Sequence, residues 1–384
     1  MRVEQLRALR TASQRLDRPA HGSVGKLVRA LGGVQAQVLG SAELALRARA
    51  KGLTREDVTA ARERDRSVVW CWAMRGTMHL VAAEDVGWML PLFAPLVWPN
   101  SKRRLKQLGV RDDHVDLAVE QIERELRDDG PLPRRELASR LAKKGIQTQG
   151  QAIAHLVAVA ALRGRICFGP LRGAVDGDAP DTRVNPPRES AEGDAQKGHA
   201  RENPMTFVAL ADWLPGFKLR EPDAPELARR FLSAYGPAGP ADLAAWSGLG
   251  TAAAREAFGA ISAELVEEGD LWSLRKVREA DPGVVRLLPA FDPYLLGYAD
   301  RSFALSAAHA KQVNAGGGWL HPQLFVDGEI AGTWTPSGAL KPFRPPPAAV
   351  RKALEADLEE LERWRAPTSD GVSAAAGRVR RRRA

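Results

Sequence analysis

The sequence predicts an α+β fold, and three observations carry that prediction. Three helical patterns at the start are followed by two strand patterns, residues 67–72 and 74–81. An internal repeat then places helix, Gly-Pro turn, short helix, longer helix, glycine and strand twice between Leu126 and Trp272. Beyond residue 280 the pattern turns to strands, with an Asp-Gly hairpin at Asp327-Gly328.

At 384 residues the chain is too long for one compact core and divides into several small domains. A hydrophobic share of 44% and a charged share of 27% are ordinary for a soluble globular protein. The net charge of +9 favours a polyanionic partner, and nucleic acid is the usual one. Cys71 and Cys167 are the only two cysteines and lie far apart, so no disulfide framework or zinc-ligand spacing exists. That fits a reducing, cytoplasmic setting. The start, Met1-Arg2-Val3-Glu4-Gln5, reads as an amphipathic helix and not a signal peptide. No apolar run is long enough to span a membrane.

Residues 3–16 form a first helix with Val3, Leu6 and Leu9 inward. Ser23 caps a second helix that runs to Leu31. Val34-Gln35-Ala36-Gln37-Val38 follows, between Gly32-Gly33 and Gly40. In extended chain Gln35 and Gln37 point to one side while Val34, Ala36 and Val38 face the core. In a helix the two amides would diverge. A solvated loop pair is the alternative. Ser41 begins a helix, and Thr54 with Asp57 forms a capping box for the next. The two strands join near Arg75-Gly76, completing a winged-helix order.

Residues 83–110 read as an apolar helical connector whose regularity Pro91, Pro95 and Pro99 break. The basic run at 101–106 is a solvated face or, in a nucleic-acid binder, a phosphate contact. Each copy of the repeat is a winged-helix pattern, so three such modules are expected. The boundaries are 1–110, 111–175 and 207–280, with an exposed loop or linker at 176–206. A β-rich domain with a final helix spans 281–366, and residues 367–384 form a basic, disordered tail.

Common catalytic signatures are missing. There is no Walker A loop and no His-Glu-x-x-His. Gly248-Leu249-Gly250 does not follow a strand and suits a helix start. Ser23-Val24-Gly25-Lys26 is better explained as a helix cap. His79 either faces a cleft or satisfies a core hydrogen bond.

Four segments taken together resemble one family: Val34-Gln35-Ala36-Gln37, residues 74–81, residues 288–301 and residues 326–334. Their order and content are similar to the AlkZ/YcaQ superfamily of winged-helix DNA glycosylases. The likeness covers roughly residues 3–365, and Gln-x-Gln marks the AlkZ-like branch. The middle residue of that motif is often larger than Ala36. The resemblance implies a C-shaped monomer of three winged-helix modules around a channel, closed by a C-terminal β-barrel. It implies excision of N7-alkylated purines from double-stranded DNA and, in some members, unhooking of interstrand crosslinks. No metal or cofactor is expected. The enzyme would be cytoplasmic, and nucleoid-associated when bound to DNA. Gln35 and Gln37 carry over as the catalytic pair, and the hairpin at Asp327-Gly328 as the element that probes the minor groove. Arg75, Thr77, His79, Asp292, Tyr294 and Arg301 either line the cleft or are buried structural partners. The alternative function is a non-enzymatic winged-helix DNA-binding regulator; a structural or partner-binding module comes third.

Overall fold

The computed structural model describes residues 1–19, 21–172, 205–316 and 318–366. The linker expected at 176–206 lies outside them except for its last two residues, and the expected basic tail lies wholly outside them. Helix α1 (Val3–Ser13) leads into α2 (Val24–Ala30), β1 (Val34–Gln35), α3 (Leu39–Arg47), α4 (Arg55–Glu63), β2 (Val68–Trp72) and β3 (Met78–Ala82). The long helix α5 (Ala83–Gln107) follows. Next come α6 (Asp112–Asp129), β4 (Leu132–Pro133), α7 (Arg134–Lys143), α8 (Ala152–Leu162), β5 (Ile166–Phe168), β6 (Thr206–Ala209) and α9 (Leu210–Trp213). A third set holds α10 (Ala224–Tyr235), α11 (Pro240–Ser247), α12 (Thr251–Ala260), β7 (Val266–Glu268) and β8 (Leu271–Ser273).

These sets repeat one connectivity. In the first, the sheet order is β1-β3-β2; in the second it is β4-β6-β5. In the third, β7 pairs with β8, and a single bridge from Ala238 to Trp272 stands where the first strand would be. The early strand thus pairs with the last one each time. Local chemistry sets the boundaries. The Ser23 side chain accepts from Lys26 N–H, and Thr54 and Asp57 close a capping box. Gly248 ends α11 in the left-handed region at φ 85°.

The first two sets are joined through aromatic side chains of β2 and β5. Trp70 and Trp72 stack on Phe168 with centroids 4.2 and 4.6 Å apart. In the same ladder β5 pairs with β6 (Cys167 opposite Val208), and Gly169 N–H donates to Thr206 O.

The prolines of α5 do not interrupt it, contrary to the expectation. Pro91 has no N–H for the carbonyl of Gly87, and Arg220 N–H donates to that oxygen instead at 2.9 Å. A side chain at residue 87 would run into Lys218 O, so glycine allows this approach. Pro95 and Pro99 lie on the exposed side of the helix.

The C-terminal part comprises β9 (Val285–Leu288), α13 (Pro293–Leu296), α14 (Ala310–Val313), β10 (Asn314–Gly316), β11 (Trp319–Leu320), β12 (Gln323–Val326), β13 (Glu329–Trp334), β14 (Leu340–Pro342) and α15 (Ala348–Arg365). Its main sheet runs β14-β13-β12-β9 and is open, so the expected closed barrel is not formed among the described residues. Helix α15 supplies the physical reason. Leu354 and Leu361 pack with Val285, Leu287, Leu324 and Trp334, and Asp357 accepts the edge N–H of Leu287 at 2.6 Å. The helix therefore covers the edge that barrel closure would have paired.

Candidate active site around Gln35 and Gln37

Strand β1 ends at Gln35 and the chain bends at Gln37, so the alternating pattern holds as an extended chain only in the first part of the segment. Gln35 pairs with His79 of β3, and Ala36 N–H donates to Met78 O at 2.7 Å. Val34 and Ala36 are buried, while both glutamines and Val38 are only partly covered. Trp70 Nε1 donates to the Ala36 carbonyl at 3.2 Å, locking the middle of the motif to β2. The third set buttresses the turn before it: Tyr235 Oη donates to Leu31 O, and the Trp246 ring reaches the Gly32 position. A left-handed Gly32 at φ 67° makes that contact possible.

Both amide oxygens accept a hydrogen bond from this chain. Arg75 Nη2 donates to Gln35 Oε1 at 2.5 Å, and Met78 N–H donates to Gln37 Oε1 at 3.4 Å. Arg75 sits at the tip between β2 and β3 with φ 56°. Its other terminal nitrogen, Nη1, donates to Trp246 O. Burial lowers the Arg75 pKa to about 10, and repulsion from Arg301 adds to the shift. Burial also lowers the Arg301 pKa. Arg75 remains a cation at neutral pH.

A cavity of about 640 Å³ opens beside Gln37, with Arg75, Thr77 and Gly248 on its near side. Thr77 Oγ1 is tied to Met74 O at 3.1 Å. The far wall belongs to α5 and α8, including Asn100, Arg104, Gln151 and His155. Among the described residues, no group of three or more His, Cys, Asp or Glu gathers that could hold a metal ion.

The other sequence candidates serve the protein's own packing. His79 is buried with Nδ1 3.0 Å from Thr77 O. Burial, reinforced by Arg75, drops its pKa to about 3, so it is a neutral core residue. Asp292 is fully buried, receives Arg49 through two oxygens at 2.7 and 2.9 Å, and caps α13 at Tyr294 N–H. Arg49 also reaches Gln14 of α1. Tyr294 is fully buried and donates to Gly328 O at 2.8 Å. Asp327 accepts from the N–H groups of Gly283 and Val284, both at 2.7 Å. Gly328 lies against Arg7 so tightly that a Cβ would sit 2.4 Å from it. The Asp327-Gly328 turn is thus docked on α1, which does not suit the groove-probing part expected of it.

The sequence profile of the DNA glycosylase AlkZ-like family matches residues 28–364. The chain belongs to the AlkZ-like DNA glycosylase family. This AlkZ-like glycosylase is 31% identical over 356 residues to an interstrand DNA cross-link repair glycosylase of Streptomyces sahachiroi, covering 86% of each chain. Its fold is similar to the solved structure of the Streptomyces sahachiroi DNA glycosylase AlkZ, with a TM-score of 0.72 at 27% identity. That likeness covers 92% of this chain and 95% of the other.

Several parts of this candidate site are not evident from the sequence. The Trp246 carbonyl and Gly248 come from the third set, whose aromatic pattern reads as core. Asn100 with Arg104, and Gln151 with His155, are each spaced four apart, which places each pair on one helix face. That spacing was the available signal.

Proposed function

We propose that this AlkZ-like enzyme is a monofunctional glycosylase for cationic N7-alkylated purines in double-stranded DNA, interstrand crosslinks included, with Gln35 and Gln37 as its catalytic pair. The observation that carries the reading is the Gln35–Gln37 segment at the end of β1, with Ala36 buried between two partly covered amides and Gln37 lining a cavity. The name of the Streptomyces sahachiroi relative supports crosslinks as a substrate class.

An N7-alkylated purine already carries positive charge, so it leaves as a neutral base without protonation. What remains is to place a water beneath C1′ and stabilise a sugar with oxocarbenium character. An amide oxygen has two lone pairs. Arg75 and the Met78 N–H each donate to one glutamine oxygen and fix how the amides face the water. Amides orient this water but are weak bases, which suits activated leaving groups and spares normal nucleosides. Arg75 and Arg301 bring positive charge that matches DNA phosphates flanking the lesion. Among the described residues no lysine lines the cavity, which favours hydrolysis over a Schiff-base lyase step. In this reading the three repeated sets act as winged-helix modules of a monomer, arranged in a C shape around the DNA channel.

The test is release of N7-methylguanine from alkylated duplex, then unhooking of an N7-linked nitrogen-mustard crosslink, by wild type and Gln35→Ala/Gln37→Ala. Release that disappears in the double variant supports the reading. Retained duplex binding without any release from wild type points to a DNA-binding regulator instead.

A further inference from the structure

The cavity beside Gln37 is larger than a methyl lesion requires, and its volume of about 640 Å³ lies in the range that buries a drug-sized molecule. Its lining is mixed but more apolar than polar, with Trp72, Phe93 and Val97 facing it as well as Ala158 and Leu162 of α8. Among the described residues that line it there is no carboxylate. Arg104 donates to Gln151 Oε1 at 2.9 Å and to Gln107 Oε1 at 3.2 Å, so its fork is engaged within the protein. The ring nitrogens of His155 have no hydrogen-bond partner among the described residues. Burial, and then Arg104, lower the His155 pKa, so the ring is neutral, with one donor and one acceptor.

These features select an occupant. The apolar side chains suit an apolar group, and the nearby cations Arg75 and Arg104, with no carboxylate among the described lining residues, disfavour a second positive charge beyond that of the alkylated purine itself. N7 and the glycosidic nitrogen belong to the same five-membered ring of a purine. A group attached at N7 therefore lies within a ring's breadth of the bond on which Gln37 would act.

Resting on the glycosylase reading above, we infer that the α5–α8 cavity holds the uncharged, apolar substituent of a bulky N7 adduct, with His155 as its hydrogen-bonding specificity residue. The methyl lesion leaves this space empty, so the cavity separates substrates by their substituent and not by their base.

The experiment compares single-turnover excision of three guanine adducts in one duplex: N7-methyl, the N7 hydroxyphenylethyl adduct of styrene oxide, and N7-aminoethyl. Wild type is expected to favour the aryl adduct over the aminoethyl one by about tenfold or more. Ala158→Trp fills the cavity and is expected to remove that preference, with N7-methyl release changed less than about twofold. Ala154→Phe, from another position of the same wall, gives the same result if Ala158→Trp fails to fold. His155→Phe slows the hydroxyphenylethyl adduct but not the phenylethyl adduct that lacks the hydroxyl. Normal N7-methyl release with an aryl preference that is absent, or unmoved by both filling variants, overturns the cavity assignment and leaves the enzyme reading intact. Equal slowing of all adducts by the filling variants also overturns it. No release of any adduct by wild type removes the enzyme reading, and this inference with it.

Discussion

Arg75 Nη2 reaches Gln35 Oε1 at 2.5 Å while Nη1 of the same guanidinium donates to the Trp246 carbonyl. One planar fork therefore ties the glutamine motif to the third repeated set and fixes which way the Gln35 amide faces. Gly248 permits this: a Cβ there would meet the Arg75 backbone and Cγ at 3.1–3.2 Å, at a φ of 85°.

The first prediction follows from that fork. Arg75→Lys cannot hold both acceptors, because a single ammonium lacks the planar spread. A charge-assisted hydrogen bond contributes about 1.5–3 kcal/mol, so kcat for N7-methylguanine release is expected to fall roughly tenfold to a hundredfold. Gly248→Ala, which touches neither glutamine, is expected to shift kcat in the same direction. Single-turnover rates at saturating enzyme, with duplex affinity measured in parallel, check both. A drop in affinity with unchanged kcat would place Arg75 on the DNA instead.

Gln35→Ala and Gln37→Ala are each expected to lower excision by about 10²-fold or more, since water misplaced by an ångström loses that much. Duplex binding by fluorescence anisotropy is expected to change little. Equal losses of binding and excision would contradict the catalytic assignment.

Asp292 belongs to stability and not to chemistry. Asp292→Ala strands a fully buried Arg49 and is expected to destabilise the fold by about 3–5 kcal/mol. Replacing both residues with apolar ones of similar size, Arg49→Met and Asp292→Leu, is expected to recover most of this loss. Urea unfolding of the single and double variants measures it. Excision per folded molecule stays near wild type.

His79 gives a pH prediction. Its pKa moves from the ordinary 6.5 to about 3 in the folded chain. As pH falls below about 6.5 the unfolded chain takes up a proton that the folded chain refuses. The neutral ring's contribution is thus complete above that pH and is lost progressively toward pH 3, at about 1.4 kcal/mol per unit. The urea midpoint of His79→Gln is expected to depend less on pH between 7 and 5 than that of wild type. Parallel slopes would show that His79 is not the titrating group.

Features written in a few adjacent residues were legible in the sequence. The Ser23 cap, the Thr54–Asp57 box and the Asp327-Gly328 turn each depend on partners within a few positions. The alternating burial of Val34, Gln35, Ala36 and Gln37 was legible for the same reason, because alternation of buried and polar side chains is local, whereas the bend at Gln37 was not. Helix α5 was not, since the carbonyl that Pro91 frees is satisfied by Arg220 from far along the chain. Asp292 and Tyr294 look polar and available in sequence; only the arrival of Arg49 and of the Gly328 carbonyl makes them interior. The short strands β10 and β11, with their glycines, carry too little pattern to read as a hairpin.

The pairing of β5 with β6 bears on how the chain can be cut. Phe168 and Phe207 are opposite one another, and Gly169 bonds Thr206, so the backbone departs from and rejoins a single ladder at neighbouring rungs. Because that ladder holds both sides together, a chain divided between Arg172 and Met205 with no residue removed, its two parts co-expressed without a covalent link, is expected to reassemble into one working molecule, a natural seam for a split-enzyme reporter.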